Sequence, residues 1–309
     1  MIQVNLIVQA HKRNGVDALV LRVKSALRNQ AAWGLSVAML CCLGMPISAQ
    51  QRPLLTEDPE TIGAGLVLVE AGVDWSQDQA FLASGLSGDL LRLPTFGMSF
   101  GISSIAEIQL DGGLNDRLSV TDRQTAPLSG QVDFQGDHTR DFSDLIIATK
   151  VRLFREADRR PALGIRFATR LPNASNETGL GLDTTDFYVS ALMGKTARSV
   201  RVVGNVGLGI LGDPIRGDRQ NDVVLYGLSV ARAMVKDFEI VGGLSGHVST
   251  RTGDPPAGTE SRGRFRFGSR FTRGPARIDA AVVIGITKNE PAVGLTAGFT
   301  YVFSAFQVP

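Results

Sequence analysis

Cysteine is almost missing from this chain, and the two it has, Cys41 and Cys42, stand side by side in an apolar run near the N-terminus. Everything downstream therefore lacks disulfides and thiolate chemistry. Aromatic residues are few, 6% of the chain with two Trp and three Tyr, and only three histidines occur in 309 residues. After residue 50 no apolar run approaches the ~18 residues that a membrane-spanning helix requires. Helical spacing of apolar residues is lacking there too. A strong charge of either sign is also absent: the net charge is +2. Five basic residues (Lys12, Arg13, Arg22, Lys24, Arg28) and one acid (Asp17) precede residue 50, so the remainder carries about −2. That is no footprint for nucleic acid.

What the first 49 residues do contain is a basic stretch, an apolar run from Ala31 to Met45, and Pro46-Ile47-Ser48-Ala49, which ends in a small residue. This order is that of a cleaved secretory signal, its apolar part too short to span a bilayer. Leu40 before Cys41 is larger than the residue a lipoprotein signal places there. The expected division is thus a signal over 1–49 and one barrel domain over 50–309.

Glycine is plentiful, at 35 residues, and hydrophobic residues make up 43%. The pattern that arranges them is clearest at Gly263 to Phe271, which reads Gly-Arg-Phe-Arg-Phe-Gly-Ser-Arg-Phe. In an extended strand alternate side chains face opposite sides. Arg264, Arg266 and Arg270 then share one face, and Phe265, Phe267 and Phe271 the other. The alternation recurs along the chain and predicts about twelve strands. They fall near 65–75, 92–102, 104–113, 142–154, 161–171, 184–194, 199–210, 222–233, 236–248, 262–272, 276–286 and 292–303. Most are ~9–12 residues long, the length that crosses a hydrocarbon layer at a tilt, whereas soluble strands average nearer five or six. The links alternate as well. Short ones (103–104, 155–160, 195–198, 234–235, 273–275) alternate with longer, Gly/Pro/Asp/Asn-rich ones (76–91, 114–141, 172–183, 212–221, 249–261), with 287–291 shorter than its class. Short turns on one side and long loops on the other, with both termini on the short side, characterise outer-membrane barrels. The expected fold is all-β, a transmembrane antiparallel up-and-down barrel in the outer membrane. A soluble secreted β-sandwich is the rival.

Facing follows from the same alternation. Val202, Val206, Leu208 and Ile210 oppose Arg201 and Asn205; Ile165 and Phe167 oppose Arg166 and Arg170; Ile147 and Leu153 oppose Lys150 and Arg152. Charge on a lipid-facing row costs ~2–4 kcal/mol at the midplane, so the apolar rows must face lipid. The expected lumen lining is Glu70, Asp74, Glu107, Asp111, Lys150, Arg152, Arg166, Arg170, Arg201, Glu239, Arg264, Arg266 and Arg270. Those arginines either attract anions, as charged rings do in pores, or pair with the acids across a lumen narrow enough to be filled. Strand 222–233 is apolar on both faces and has the least certain register.

Several segments resemble the family of outer-membrane transporters named for the MetA pathway of phenol degradation. They are Arg52-Pro53-Leu54-Leu55-Thr56-Glu57-Asp58-Pro59-Glu60-Thr61, Thr185-Asp186-Phe187, Asp222-Val223-Val224-Leu225-Tyr226-Gly227, and the closing Gly294-Leu295-Thr296-Ala297-Gly298-Phe299-Thr300-Tyr301-Val302-Phe303. The resemblance spans residues 52–303, with 114–141 as an insertion. It implies an outer-membrane channel for passive uptake of small molecules, with hydrophobic or aromatic compounds among the solutes, and it gives no substrate site. The alternative is a structural or adhesive barrel with a closed lumen. The expected partners are membrane lipid, a small-molecule solute and the barrel-assembly machinery, which reads closing strands such as 292–303.

Residues 51–61 are polar and carry two prolines, which resist sheet pairing, so a periplasmic or lumenal position is expected. No catalytic, cofactor or metal site is expected. His247-Val248-Ser249 lacks a third residue to orient a base, and Asp133, Asp137 and His138 belong to an ordinary loop.

Overall fold

The structure, a computed structural model, describes residues 52–307. The segment read as a signal, with Cys41 and Cys42, lies outside them.

Fourteen strands are present and no helix among the described residues. Twelve close into a barrel: β1 (Leu66–Phe81), β2 (Leu86–Gly101), β3 (Ala106–Gly113), β6 (Leu145–Phe154), β7 (Ala162–Leu171), β8 (Asp186–Ala197), β9 (Val200–Gly212), β10 (Gln220–Val235), β11 (Phe238–Ser249), β12 (Arg262–Arg273), β13 (Ala276–Gly285) and β14 (Val293–Ser304). Neighbours in sequence pair antiparallel, β3 pairs with β6, and β1 seals the cylinder by pairing with both β2 and β14. Leu66 opposite Ser304 brings both ends of the barrel chain to one rim. That rim also carries the tight turns, including 198–199 and 236–237, where Arg198 and Asp237 adopt positive φ of 56° and 66°. The other rim carries the long connections.

All twelve expected strands occur, with ends shifted by a few residues except at the first pair. Residues 76–91 were expected to be a loop, yet β1 continues to Phe81 and β2 starts at Leu86, leaving only 82–85 as the turn. The insertion expected at 114–141 also holds structure, β4 (Asp116–Arg123) and β5 (His138–Asp141). The reason lies in β2. Its half after Pro94 pairs with β3, and its half before Leu93 pairs with β4. Proline has no amide to give to a ladder; the exchange is bridged by Leu93 N–H to the Asn115 carbonyl and Leu114 N–H to the Pro94 carbonyl. Beyond that point the β1–β2 hairpin and β4–β5 rise past the barrel wall. They hold a core of their own, with Leu86, Leu90 and Leu118 buried and Phe81, Val120, Val132, Phe134 and Leu180 packed on it. Arg123 lies 4.5 Å over the Phe134 ring.

The two faces of the wall divide as the alternation requires. Leu208 is 59% exposed and Phe267 54%, with Val202, Phe265, Ile278, Leu295 and Phe299 in the same outer surface. Glu107 and Lys150, by contrast, are at 0%. In a soluble protein the outer row would be covered; here it forms the outside of a closed cylinder. The poorly patterned β10 has a local explanation. Its inward Asn221 and Val223 sit beneath the long connections, where Asn221 Nδ2 donates to the Thr259 carbonyl and hydroxyl, each at 3.0 Å. Val223, apolar and on the inner face, is fully buried there.

Candidate functional site

The residues before β1 run inside the barrel. Thr61 Oγ1 donates to the Ser104 carbonyl at the tight-turn rim, and Ile62 N–H donates to Glu107 Oε2 at 2.8 Å. From there the segment crosses the lumen against one strand after another. Pro59 fits where β7 and β8 carry glycine: a Cβ on Gly164 or Gly194 would come within 3.3 or 3.1 Å of it. Thr56 lies against Gly227, and Leu54 packs on Ala231 and Val241. Arg52 reaches the paired strands β1 and β14, where Gly72 and Gly298 leave it space that any side chain would fill. Its guanidinium donates to Thr296 Oγ1 (3.0 Å) and the Ala297 carbonyl (2.9 Å), with Asp279 at 3.6 Å and Asp74 at 3.9 Å.

The acids of this segment meet the cations of the wall. Glu57 lies 3.0 Å from Arg166 and 3.5 Å from Lys150, whose ammonium is also 3.0 Å from Glu107. Asp58 takes a fork from Arg201, Nε and Nη2 each donating to one oxygen. Glu60 Oε2 accepts from Arg152 at 2.6 Å. Asn205 fixes the backbone here, accepting from Glu57 N–H at 2.7 Å and donating to the Glu57 carbonyl at 2.8 Å.

Pairing between wall residues, the arrangement expected for a filled lumen, occurs at Arg270–Glu239 (2.8 Å), Arg166–Asp111 (3.6 Å) and Lys150–Glu107. The other cations find partners that alternation alone did not single out. Arg170 pairs with Asp186 and with Asp144 (3.3 Å), Arg264 with Glu290, and Arg201 also with Glu156 (3.0 Å). Glu70 accepts from Thr300 at 3.1 Å, and Asp74 faces Arg52. Arg266 bonds the Pro53 carbonyl at 2.8 Å. Each of the thirteen side chains expected for the lining thus has a partner among these contacts, and the acids of 52–61 meet Lys150, Arg152, Arg166 and Arg201.

Two carboxylates at the rims have altered acidity. Asp144, in the link before β6, is raised above its ordinary value by burial, although amides of Ala174 and Asn173 and the Arg170 charge oppose that. Burial works against the charge of Glu156 in the β6–β7 link as well. There the Thr196 amide, Lys195, the Thr196 hydroxyl and Arg201 outweigh it and hold the carboxyl below its usual range.

On the long-connection side of the segment the lumen opens into a cavity of about 600 Å³. Leu55, Arg92, Arg264, Arg266, Tyr188 and Leu211 are among its walls. His247 and Ser249 do not address each other. The imidazole Nε2 sits 2.9 Å from the Glu260 carbonyl, and Ser249 Oγ donates to Asn221 Oδ1 at 3.0 Å.

No family model and no curated protein matches the chain. The likeness to the MetA-pathway transporters therefore rests on the segments quoted above. Solved structures do match. An outer membrane channel from Pseudomonas putida F1 superposes with a TM-score of 0.57 at 14% identity, covering 80% of this chain and 98% of that one. The translocator domain of an autotransporter from Neisseria meningitidis gives 0.47 at 13% identity, covering 78% and 89%. The Pseudomonas putida toluene transporter gives 0.40 at 10% identity, covering 86% and 97%. The fold is that of an outer-membrane β-barrel.

Proposed function

We propose that this protein is an outer-membrane channel through which small molecules pass down their gradient. Lipid surrounds the apolar outer rows, and the barrel-assembly machinery inserts the chain after export on a cleaved signal. One observation carries the reading. Beside the charged pairs that fill part of the cylinder, an open cavity of about 600 Å³ remains, space that a closed structural barrel would fill with packed side chains. The segment 52–61 is the constriction, since it crosses the lumen from Arg152 of β6, which Glu60 meets, to Thr296 of β14, which Arg52 meets. The MetA-pathway resemblance extends the solutes to hydrophobic or aromatic compounds.

Refolded residues 50–309 in a planar bilayer test this. Discrete current steps are expected, growing when residues 51–61 are removed. A chain that partitions into the bilayer yet passes no current, with or without that segment, is the closed structural barrel instead.

A further inference from the structure

We propose that the cavity on the long-connection side of the lumen binds a small organic anion with an apolar body. The arginine row of β12 holds the anionic head, and Leu55 meets the body. The proposal rests on the channel reading and narrows its solute class.

Arg262, Arg264 and Arg266 are spaced by two on β12, so their side chains leave the strand on one face. All three line the cavity, with Arg92 of β2 beside them. Most of this charge is met locally. Glu290 pairs with Arg264 and lies 3.8 Å from Arg262, and Asp116 lies 3.1 Å from Arg92. Arg266 is different. It is 8% exposed, its one hydrogen bond is to the neutral Pro53 carbonyl, and its Nε has no acceptor among the described residues. No carboxylate of the described residues pairs with it. Arg264, Arg52 and Arg92 are near enough to repel it, and Asp74 to attract it. A buried charge without a counter-ion is costly, and an anion entering the cavity removes that cost.

Leu55 supplies the second half of the recognition. It follows Pro53 by two residues and is 47% exposed although the segment lies inside the barrel, whereas its neighbour Leu54 is buried at 6%. Leu182 and Leu211 add to the apolar part of the wall. A guanidinium lacking a counter-ion and an uncovered leucine, joined through one short stretch of backbone, suit a carboxylate carrying a ring or chain. A cavity of about 600 Å³ has the size of an ordinary small-molecule site.

Calorimetric titration of residues 50–309 in detergent tests the assignment with benzoate, benzyl alcohol (same ring, no charge) and acetate (same head, no ring). Benzoate is expected to bind at least about tenfold more tightly than either. Arg266→Gln is expected to lose about that factor, and Leu55→Ser to bring benzoate down to acetate. Arg277→Gln, which removes another buried arginine (bonded to Thr272) away from the cavity, leaves binding at the native level. Equal binding of benzyl alcohol, or unchanged binding in Arg266→Gln, overturns the proposal. If Arg266→Gln does not fold, the three probes and Leu55→Ser still decide. Binding in detergent needs no conducting pore: benzoate bound without bilayer current keeps the site and sinks the channel, and current without benzoate binding does the reverse.

Discussion

Neutralising the three acids of the lumenal segment, Glu57→Gln with Asp58→Asn and Glu60→Gln, should release it from the wall. Each carboxylate accepts charge-assisted bonds inside the barrel, from Arg166 and Lys150, from the Arg201 fork, and from Arg152. Bonds to charged groups contribute about 1.5–3 kcal/mol each, so counting one per acid gives a loss of roughly 5–9 kcal/mol. Against this stands the entropy of ordering the segment, about 1–2 kcal/mol per residue. What remains to hold it is Arg52 on β14, the Arg266 bond to Pro53 and the packing of Leu54. The wall is a continuous hydrogen-bonded sheet and does not depend on these acids. Single-channel recording should therefore show a larger conductance in the triple variant. Reversal potentials should move toward anions, because Lys150, Arg152, Arg166 and Arg201 then lack the segment's charge. Conductance and selectivity both equal to the native values would refute the idea that these pairs hold a constriction.

Other perturbations separate wall from segment. Phe267→Arg, on the outer surface at 54% exposure, should cost ~2–4 kcal/mol in reversible unfolding from lipid vesicles; a change below about 0.5 kcal/mol would mean that lipid does not touch this row. Gly298→Leu fills the space that the Arg52 guanidinium occupies. It should raise conductance without altering any wall charge, and native conductance there would show Arg52 to be dispensable for seating. Glu156 gives a pH dependence. Its carboxyl is held below the ordinary 4.5, so the folded state binds fewer protons than the unfolded one in that range. Its contribution is present above pH 4.5 and disappears as pH falls through the lowered value. Unfolding midpoints compared between pH 6 and pH 3 should fall more for the native chain than for Glu156→Gln, and parallel curves would exclude that role.

The wall was legible because a lipid-facing barrel strand must alternate, and nothing buried deeper in sequence can replace that rule. Arg264, Arg266, Phe265 and Phe267 state it within four residues. It lost its force where the strand left the membrane. Residues 76–81 and 86–91 pair as strand, yet Asp74-Trp75-Ser76-Gln77-Asp78-Gln79 contains no apolar row, because water or other protein covers both sides beyond the rim. The β4–β5 extension was obscured for the same reason. Its apolar residues, Leu118 and Val120 with Val132 and Phe134, build a small core against Leu86 and Leu90, a pairing that depends on β2 changing partners at Pro94.

The lumen was legible by side and not by partner. Alternation puts Lys150, Arg152, Arg166 and Arg201 inside, since the opposite face must be apolar. It says nothing about which acid each one meets, because those acids come from a segment with no period. Pairs such as Arg201–Asp58 and Arg152–Glu60 join positions 143 and 92 apart in the chain. One trace was present in the sequence. Gly72, Gly164, Gly194, Gly227 and Gly298 fall on inward positions of separate strands, where side chains would ordinarily fill the lumen. A wall that withholds its own side chains there, while placing Lys150, Arg152, Arg166 and Arg201 beside the gap, leaves room for a strand-sized insert of opposite charge. Arg52 through Thr61, with Glu57, Asp58 and Glu60, is such an insert, and its path over those glycines is the structural reason the barrel narrows where it does.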